Sequence, residues 1–543
     1  MQITGIIFVI YIVIPLALTL AGLHGALAEQ LKAQPLKSSQ TMRTDHSSFE
    51  ILNKSFASGL ELTKACLSCH NQSAKQVHQS LHWKWSSQNH KTGQIVGKKN
   101  VLNGLLMSVS SNEPYCARCH ISNAWTEDTI DFTAEEQVDC LACHDTTGTY
   151  GLKKMHQLRA KCSACHVDFD KSIARDVVRK PDLTLLAKSV GKPSVQNCGS
   201  CHFFSDGGDG VKHGDLDSSL LNATKEVDIH MAKDGQGYDC TTCHKTEKHI
   251  MQGSRYVPES KDLRGMDVVG GSRATCESCH GTAPHPNTTN AKLNDHVARI
   301  ACQTCHIPAL ARGGVPTKTY WDWSTAGRLN EDGKAIIEKN GKDRVVYSSQ
   351  RGTGQWEENV IPDYIWFNGR IDHLTLTDTI DHAGVVQLNT LSGSPDDPQA
   401  RIWPVKVLRG KQPYDAGNST LVAMRVFGKE NDAFWKAYNW EDSIAAGMNS
   451  VGLAFSGKVG FVETEMRIPI NHMVAPAEGA LECESCHSKN GRLAGVPGIH
   501  MPGRGANPII NFVGIFLILA SLAGVIGHAT LRAGLRYLHK RKA

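Results

Sequence analysis

Two long apolar runs lie near the ends of a mostly polar chain of 543 residues. The first falls within residues 1–28, which contain no Lys, Arg, Asp or Glu and close with Ala26-Leu27-Ala28. Small residues at that spacing are typical of a cleavage site, so the pattern predicts a secretory signal peptide. A basic n-region is missing, which leaves an uncleaved N-terminal anchor as the alternative.

The second apolar run covers residues 509–531 and predicts a transmembrane helix over 508–531. A helix of that length spans about 35 Å, enough to cross a hydrocarbon core of about 30 Å. Five basic residues and no acidic residue follow in 532–543. Basic flanks stay on the cytoplasmic side, so we expect 532–543 to form a cytoplasmic tail and the rest of the chain to be exported.

Between the two runs, periodic patterns are short. Residues 29–60 are polar, and one amphipathic helix is readable in DAFWKAYNWEDSIAAGM, with Phe434, Ala437 and Ile444 on one side. The remainder is rich in turn residues. The pattern therefore predicts short α-helices and long loops, with little β structure.

The cysteines change this picture, because all 18 occur in nine C-x-x-C-H motifs. Zinc ribbons or disulfides do not require a histidine directly after each cysteine pair, whereas c-type haem attachment does. Two thioether bonds would hold each haem, and the motif histidine would ligate the iron. The haem-binding residues are Cys66, Cys69, His70, Cys116, Cys119, His120, Cys140, Cys143, His144, Cys162, Cys165, His166, Cys198, Cys201, His202, Cys240, Cys243, His244, Cys276, Cys279, His280, Cys302, Cys305, His306, Cys483, Cys486 and His487.

The spacing of the motifs divides the exported part into three. Residues 29–306 form a multihaem region with eight motifs, 307–482 carry none, and 483–507 hold the ninth motif and a connector. The middle segment has seven of the ten tryptophans, which we expect to pack against haem edges and a small core of its own. The fold class is a multihaem cytochrome c, in which nine haems replace much of a conventional core.

Charge limits the partners. The five basic residues of the tail account for the whole net charge of +5. Haem propionates would make the exported part acidic by roughly nine units, so nucleic acid is not an expected partner. A calcium ion is a weak further candidate at SDGGDGVKHGDLD, residues 205–217, because the four aspartates depart from EF-hand spacing.

Each iron needs a second axial ligand to become low-spin and suited to electron transfer, whereas an open position permits substrate binding. His249 and His285 each follow a motif histidine by five residues, a tether too short to reach the opposite face of the same haem. We therefore assign both to neighbouring haems. The predicted second ligands are His82, His213, His230, His249, His285, His296 and His472.

The stretch VDCLACHDTTGTYGLKKMHQ offers a different ligand. Lys153 and Lys154 follow the third motif closely, and His156 lies beside them. A lysine binds iron only when neutral, which desolvation beside a cationic iron allows. From the residues alone, lysine and histidine both stay open.

The stretches CLACHDTTGTY, VKHGDLDSSL, ARGGVPTKTYWDWSTAGRLN, RIWPVKVLRGKQPYD and PINHMVAPAEGALECESCHSKNGRLAG together resemble the octahaem tetrathionate reductase family. That resemblance implies a catalytic haem with one lysine ligand, and reduction of tetrathionate, nitrite and hydroxylamine. Carried over, Lys153 or Lys154 is the catalytic ligand, at the haem held by Cys140 and Cys143. This chain departs from the family in its ninth motif, for which CSACH at 162–166 is the addition.

The first functional hypothesis is therefore a reductase of a small inorganic oxyanion, anchored on the periplasmic side of a bacterial inner membrane. A membrane quinol-oxidising or other redox partner would feed the Cys483 haem. The alternatives are a non-catalytic electron conduit in which every haem has two ligands, and the reverse chemistry, hydroxylamine oxidation.

Overall fold

The computed structural model describes residues 44–116, 119–123, 131–148, 150, 181–260, 274–285, 292–499 and 507–542. The predicted signal peptide, Lys153, Lys154, His156 and the motif at 162–166 lie outside these residues.

Short helices and loops make up the described part of the multihaem region, as the sequence predicts. Each haem motif that the structure describes includes residues of a helical turn; the amide of His244, for example, donates to the carbonyl of Cys240 at 2.8 Å. The helices of this region are Gly59–Leu67, Ser73–Gln79, Leu81–Lys84, Glu113–Cys116, Leu141–His144, Leu183–Lys188, Val195–His202, Cys240–Cys243, Glu277–His280, Leu293–His296 and Cys302–His306. Two small hairpins join them, β1 (Ser87–Gln88) with β2 (Ile95–Val96) and β3 (Thr246–Glu247) with β4 (Ile250–Met251).

The motif-free segment contains a sheet of nine strands. The strands are β5 (Thr317–Asp322), β6 (Ile337–Lys339), β7 (Val345–Ser348), β8 (Gly352–Glu357), β9 (Asp363–Phe367), β11 (Val386–Gln387), β13 (Arg401–Asp415), β14 (Thr420–Leu421) and β15 (Val459–Pro469); β10 (Ile371–His373) and β12 (Asn389–Leu391) form a separate pair. The path of the sheet runs β11-β15-β13-β5-β8-β7-β6, and β9 and β14 also pair with β13. The longest pairing is antiparallel and joins β13 to β15 from Val405↔Pro469 to Asp415↔Val459.

The prediction of little β structure is therefore wrong. A segment without haem motifs has to bury its own side chains, and it does so with a sheet. The central strand β13 is buried along almost its whole length, so it shows no alternation of apolar and polar residues. Pro404 and Pro413 lie within it. Because proline has no backbone N–H to donate to a neighbouring strand, prolines in a sequence argue against a central strand.

The tryptophans of this segment fill its core. Trp321 and Trp323 are buried and stacked, with ring centres 4.8 Å apart, while Trp403 packs edge-on against Phe367. The predicted amphipathic helix is present as two pieces, Phe434–Ala437 and Trp440–Ser450.

The break between those two pieces comes at Tyr438, which has a φ of 55°. Phe434 and Ile444 are fully buried as expected. Ala437 is exposed, because the first piece ends there and the helical register does not continue.

The C-terminal apolar run forms one helix, Pro508–Lys542, which continues through the basic tail. It is the one helix in the described part of the chain that is long and apolar enough to cross a membrane. Its apolar side chains are exposed, as in a helix that meets lipid instead of protein.

Gly410 tests the importance of the β13 pairing. A Cβ there would come within 2.6 Å of Leu105 Cδ1 and 2.8 Å of the backbone oxygen of Trp321. We expect Gly410→Ala to lower the free energy of unfolding by about 1–3 kcal/mol, because the backbone cannot move aside. Thermal unfolding measures this; Gly341→Ala, where a Cβ meets nothing within 4 Å, is the control and should change little.

Candidate haem-binding and redox sites

The motif turn brings the three haem-binding side chains of each motif to one side of the backbone. Residues four apart in a helical turn lie one above the other, so the first cysteine and the histidine share a face, with the second cysteine beside them. The amides of His70, His144, His280 and His487 each donate to the carbonyl of the first cysteine of their motif, at 2.7–3.0 Å.

Seven of the eight motif histidines that the structure describes face a second histidine from elsewhere in the chain. The ring centres of these pairs are 6.1–6.4 Å apart. The pairs are His46 with His70, His82 with His202, His144 with His249, His230 with His280, His244 with His472, His285 with His306, and His296 with His487.

This separation fits one iron between two imidazoles. Two metal–nitrogen bonds of about 2.0 Å, with roughly 1.1 Å from each nitrogen to its ring centre, give about 6.2 Å in total. Direct contact between two stacked rings would bring the centres closer than this. The residues present therefore fit a haem iron at each pair.

Hydrogen bonds fix the orientation of several of these rings. Nδ1 of His144 donates to the carbonyl of Gly191 at 2.8 Å, and Nδ1 of His244 donates to that of Gln252 at 2.9 Å. A donor at Nδ1 leaves the lone pair on Nε2, which is the atom available to a metal.

The protonation state of six of the paired rings suits metal binding as well. Burial lowers the pKa of six of the paired imidazoles, and that of His202 falls to about 3. A neutral imidazole is the form that binds a metal. The six are His82, His202, His230, His244, His249 and His306.

The surroundings of the eighth motif histidine, His120, are aromatic. The ring centres of Trp83, Trp85 and Phe132 lie 5.1, 5.0 and 5.9 Å from that of His120. Its Nε2 lies 2.8 Å from the carbonyl oxygen of Trp83.

A recess opens beside the cysteines of the same motif. Its lining includes one cation, Lys98, whose Nζ lies 5.4 Å from the ring centre of Trp85. The other lining residues are Asn103, Met107, Tyr115, Cys116, Cys119, Phe204 and Ser205.

Cysteines of different motifs lie side by side. The thiols, which stand where thioether bonds would form, make hydrogen-bonding contacts between Cys66 and Cys140, between Cys198 and Cys240, and between Cys276 and Cys302. Three of the links along the chain of motifs are therefore direct contacts.

The other three links between neighbouring motifs are indicated by the effect of a cysteine of one motif on the pKa of a cysteine of the next. Burial and the nearby Cys279 raise the pKa of Cys243 to about 11, and burial and the nearby Cys486 raise that of Cys305 to about 11. Cys143 adds to the raised pKa of Cys198. The seven paired motifs thus form one continuous row, named here the haem row, in the order Cys66, Cys140, Cys198, Cys240, Cys276, Cys302 and Cys483.

Six of the seven predicted second ligands face a motif histidine. His249 lies opposite His144, and His285 lies opposite His306. Each of the two therefore faces the histidine of a motif other than the one that directly precedes it in the sequence. His213 lies instead beside Asp215, with 3.8 Å between its Nδ1 and the carboxylate, and stays a predicted ligand.

Sequence reasoning missed one residue, His46, which faces His70. No periodicity or motif marks it, since it lies in the polar N-terminal stretch. His249 occupies the position opposite His144 where we expected Lys153 or Lys154; both lysines are outside the described residues.

Two aspartates of the loop 205–217 accept hydrogen bonds from protein groups. Asp215 accepts from the backbone of Asn471 and His472, and Asp217 from Ser219. Among the residues that the structure describes, no three His, Cys, Asp or Glu side chains converge as a metal site, and calcium stays a weak candidate.

Comparisons with known proteins find similarity to c-type cytochromes. A model of the family described as bacterial cytochrome c matches residues 318–490, from the sheet to the Cys483 motif. The crystal structure of octahaem cytochrome c from Shewanella oneidensis is similar, with 36% sequence identity and a TM-score of 0.71, over 86% of this chain and 99% of that one. An uncharacterized protein of Archaeoglobus fulgidus is 26% identical, over 38% of this chain and 81% of that protein.

The pairing of His46 with His70 is testable because its loss opens one iron. We expect His46→Ala to convert one haem from low-spin to high-spin, while the other haems keep their spectra. Electron paramagnetic resonance of the ferric protein measures the change.

His382→Ala is the matched control for that experiment. His382 is exposed and stacks on Tyr414 instead of another histidine, so its loss should leave the spin state of every haem unchanged. If His46→Ala also leaves all spectra unchanged, His46 is not a ligand.

Proposed function

Because the chain belongs to the octahaem cytochrome c family, we propose that it is a membrane-anchored periplasmic reductase with one lysine-ligated catalytic haem. Its substrates are small sulfur and nitrogen compounds, namely tetrathionate, nitrite or hydroxylamine. The observation that carries this proposal is the set of seven histidine pairs. An iron between two imidazoles has no position left for a substrate, so these haems suit electron transfer.

We place the chemistry at the Cys116 motif, where a bound haem would replace the carbonyl oxygen of Trp83 as the partner of His120 Nε2. The amide of Asp139, beside the Cys140 motif, donates to the carbonyl of Ile121, directly after His120, at 2.9 Å. The Cys116 and Cys140 motifs are therefore neighbours. The row of electron-transferring haems passes next to the catalytic one.

The same contacts support a lysine ligand there. Tyr150 is buried, and its hydroxyl donates to Asp139 at 3.1 Å. Lys153 and Lys154 follow by three and four residues, which span at most about 14 Å of chain. Both lysines thus start from a point anchored between the two motifs.

The charge of Lys98, near the Cys116 motif, supports an anionic substrate. Lys98 brings a positive charge to the recess beside this motif, and a cation in a recess raises the local concentration of anions. A haem held by Cys116 and Cys119 would supply electrons to the substrate. Lys98 attracts the oxyanion, and the tryptophans around His120 keep water away from the ring.

Electrons enter at the opposite end of the haem row. Cys483 is exposed at the last position of the row, and its motif is the one nearest in sequence to the C-terminal helix. We propose that a membrane quinol-oxidising partner reduces this haem, and that nine haems are bound in all, with the Cys162 motif as an addition to the family's eight.

A second candidate is a pure electron conduit. The haem row favours it, because seven histidine-paired haems in sequence already form a complete wire. In that case the Cys116 haem is also saturated and no substrate is reduced.

The lysine assignment predicts different results for two neighbouring substitutions. Of Lys153→Met and Lys154→Met, the one that removes the ligand should change the spectrum of one haem and lower turnover by roughly 100-fold or more. The other substitution should leave the haem spectra and the turnover unchanged. Electron paramagnetic resonance and turnover with nitrite, hydroxylamine and tetrathionate measure this. Lys188→Met, in the helix Leu183–Lys188, is the control.

Spectra of the unmodified protein decide between the reductase and the conduit. A reductase should show one haem that cyanide or nitrite perturbs. Saturated low-spin signals alone, unmoved by either ligand, would establish the conduit and reject the catalytic role of the Cys116 haem.

The anchor is tested by a chain that ends at Asn507. It should leave the membrane fraction, keep its haems and reduce substrate with an artificial electron donor, because the helix from Pro508 contributes no ligand or core residue. Reduction by membranes with quinol should slow. Loss of haem from this chain would mean that the helix has a structural role.

A further inference from the structure

Among the haem-facing histidines whose Nδ1 acceptor the structure describes, one donates to a carboxylate. Nδ1 of His249 donates to the side-chain oxygen of Gln76 at 2.8 Å, and Nδ1 of His285 to that of Asn294 at 3.1 Å; both acceptors are neutral. His144 and His244 donate to backbone carbonyls. His472 donates instead to a carboxylate, Oδ2 of Asp215, at 3.3 Å.

Asp215 is held in place from several directions. Its side chain is 2% exposed. The same Oδ2 also accepts from the backbone amides of Asn471 at 2.8 Å and His472 at 3.0 Å. Three hydrogen bonds to one oxygen fix the carboxylate against the imidazole.

The loop that carries Asp215 is itself held by hydrogen bonds to the sheet. Nζ of Lys406, on strand β13, donates to the carbonyls of Val211 and Lys212 at 2.9 Å each. Asp209 accepts from the backbone amide of Ser218 at 3.0 Å and closes the other side of the loop. The sheet thus sets the position of the carboxylate.

A buried carboxylate at Nδ1 affects the metal on the opposite nitrogen. It draws the Nδ1 proton toward itself, which makes Nε2 a stronger electron donor. A stronger donor, together with a nearby negative charge in a medium of low dielectric constant, stabilises the ferric state over the ferrous state. The reduction potential of that iron falls.

We propose that Asp215 is a positioning residue that lowers the reduction potential of the haem bound by Cys240 and Cys243, relative to its neighbours in the haem row. The Cys240 motif lies in the middle of the row, so electrons that travel between the Cys276 and Cys198 motifs pass through it. Asp215 makes this passage the energetically uphill step of the row. The proposal rests on the haem pairing alone, and holds whether the protein is a reductase or a conduit.

The direct test is Asp215→Asn, which keeps the size of the side chain and removes its charge. In the complete, haem-loaded protein we expect one haem to shift to a higher reduction potential, with the other haems unchanged. Potentiometric titration followed by electron paramagnetic resonance measures the potentials. The same haem should change its resonance signature, since its axial imidazole is a weaker donor.

Asp228→Asn is the matched control. Asp228 is also buried, and the groups that donate to its carboxylate are backbone amides, including those of Met473 and Val474 in the same segment as His472. It removes a buried charge close to the same haem without altering the Nδ1 bond. An equal shift of that haem in both variants would overturn the proposal, because proximity of charge alone would then explain the effect.

The reciprocal substitution, Gln76→Glu, makes the test independent of how well Asp215→Asn folds. It places a carboxylate beside Nδ1 of His249, and we expect it to lower the potential of the haem at the Cys140 motif. Unchanged potentials in Gln76→Glu, or in a folded Asp215→Asn, would overturn the proposal. Neither outcome depends on the site of catalysis, since both are read from potentials and not from turnover.

Discussion

The pairing of a motif histidine with a second histidine, seen at seven of the eight described motifs, is the constraint on which the rest of the structure depends. A C-x-x-C-H motif supplies one histidine from a local turn, but the second comes from a distant part of the chain. His82 faces His202, and His296 faces His487, so one iron joins segments far apart in sequence. With few long helices in this region, these cross-links take the place of a continuous apolar core.

The sheet provides the rigid surface to which the haem motifs attach. Thr304, within the Cys302 motif, donates to the carbonyl of Ile402 at 2.8 Å, at the start of β13. Arg401, which directly precedes Ile402 in β13, forms a buried ion pair with Glu277 of the Cys276 motif. Two neighbouring motifs are therefore held against one strand end, which keeps their haems at a constant separation.

Three parts of the structure have different surroundings. The haem row is suited to electron transfer, the apolar helix at the C-terminus is long enough to cross a membrane, and the Cys116 motif lies beside the row with an aromatic environment of its own. The similarity to octahaem cytochrome c extends over 86% of the chain. The buried carboxylate of Asp215 adds a difference between haems that are otherwise ligated alike.

The sequence by itself determined whatever depends on neighbouring residues. The haem attachment residues, one axial histidine per motif and the apolar C-terminal helix all follow from local spacing. The second ligands depend on which segments meet in space, so His46 was missed, while ligation by Lys153 or Lys154 stays a prediction. The sheet was also missed, because β13 is buried on both faces and contains Pro404 and Pro413, which removes the alternation that marks a strand. Only the tertiary structure decides such features, since they arise from contacts between residues that are remote along the chain.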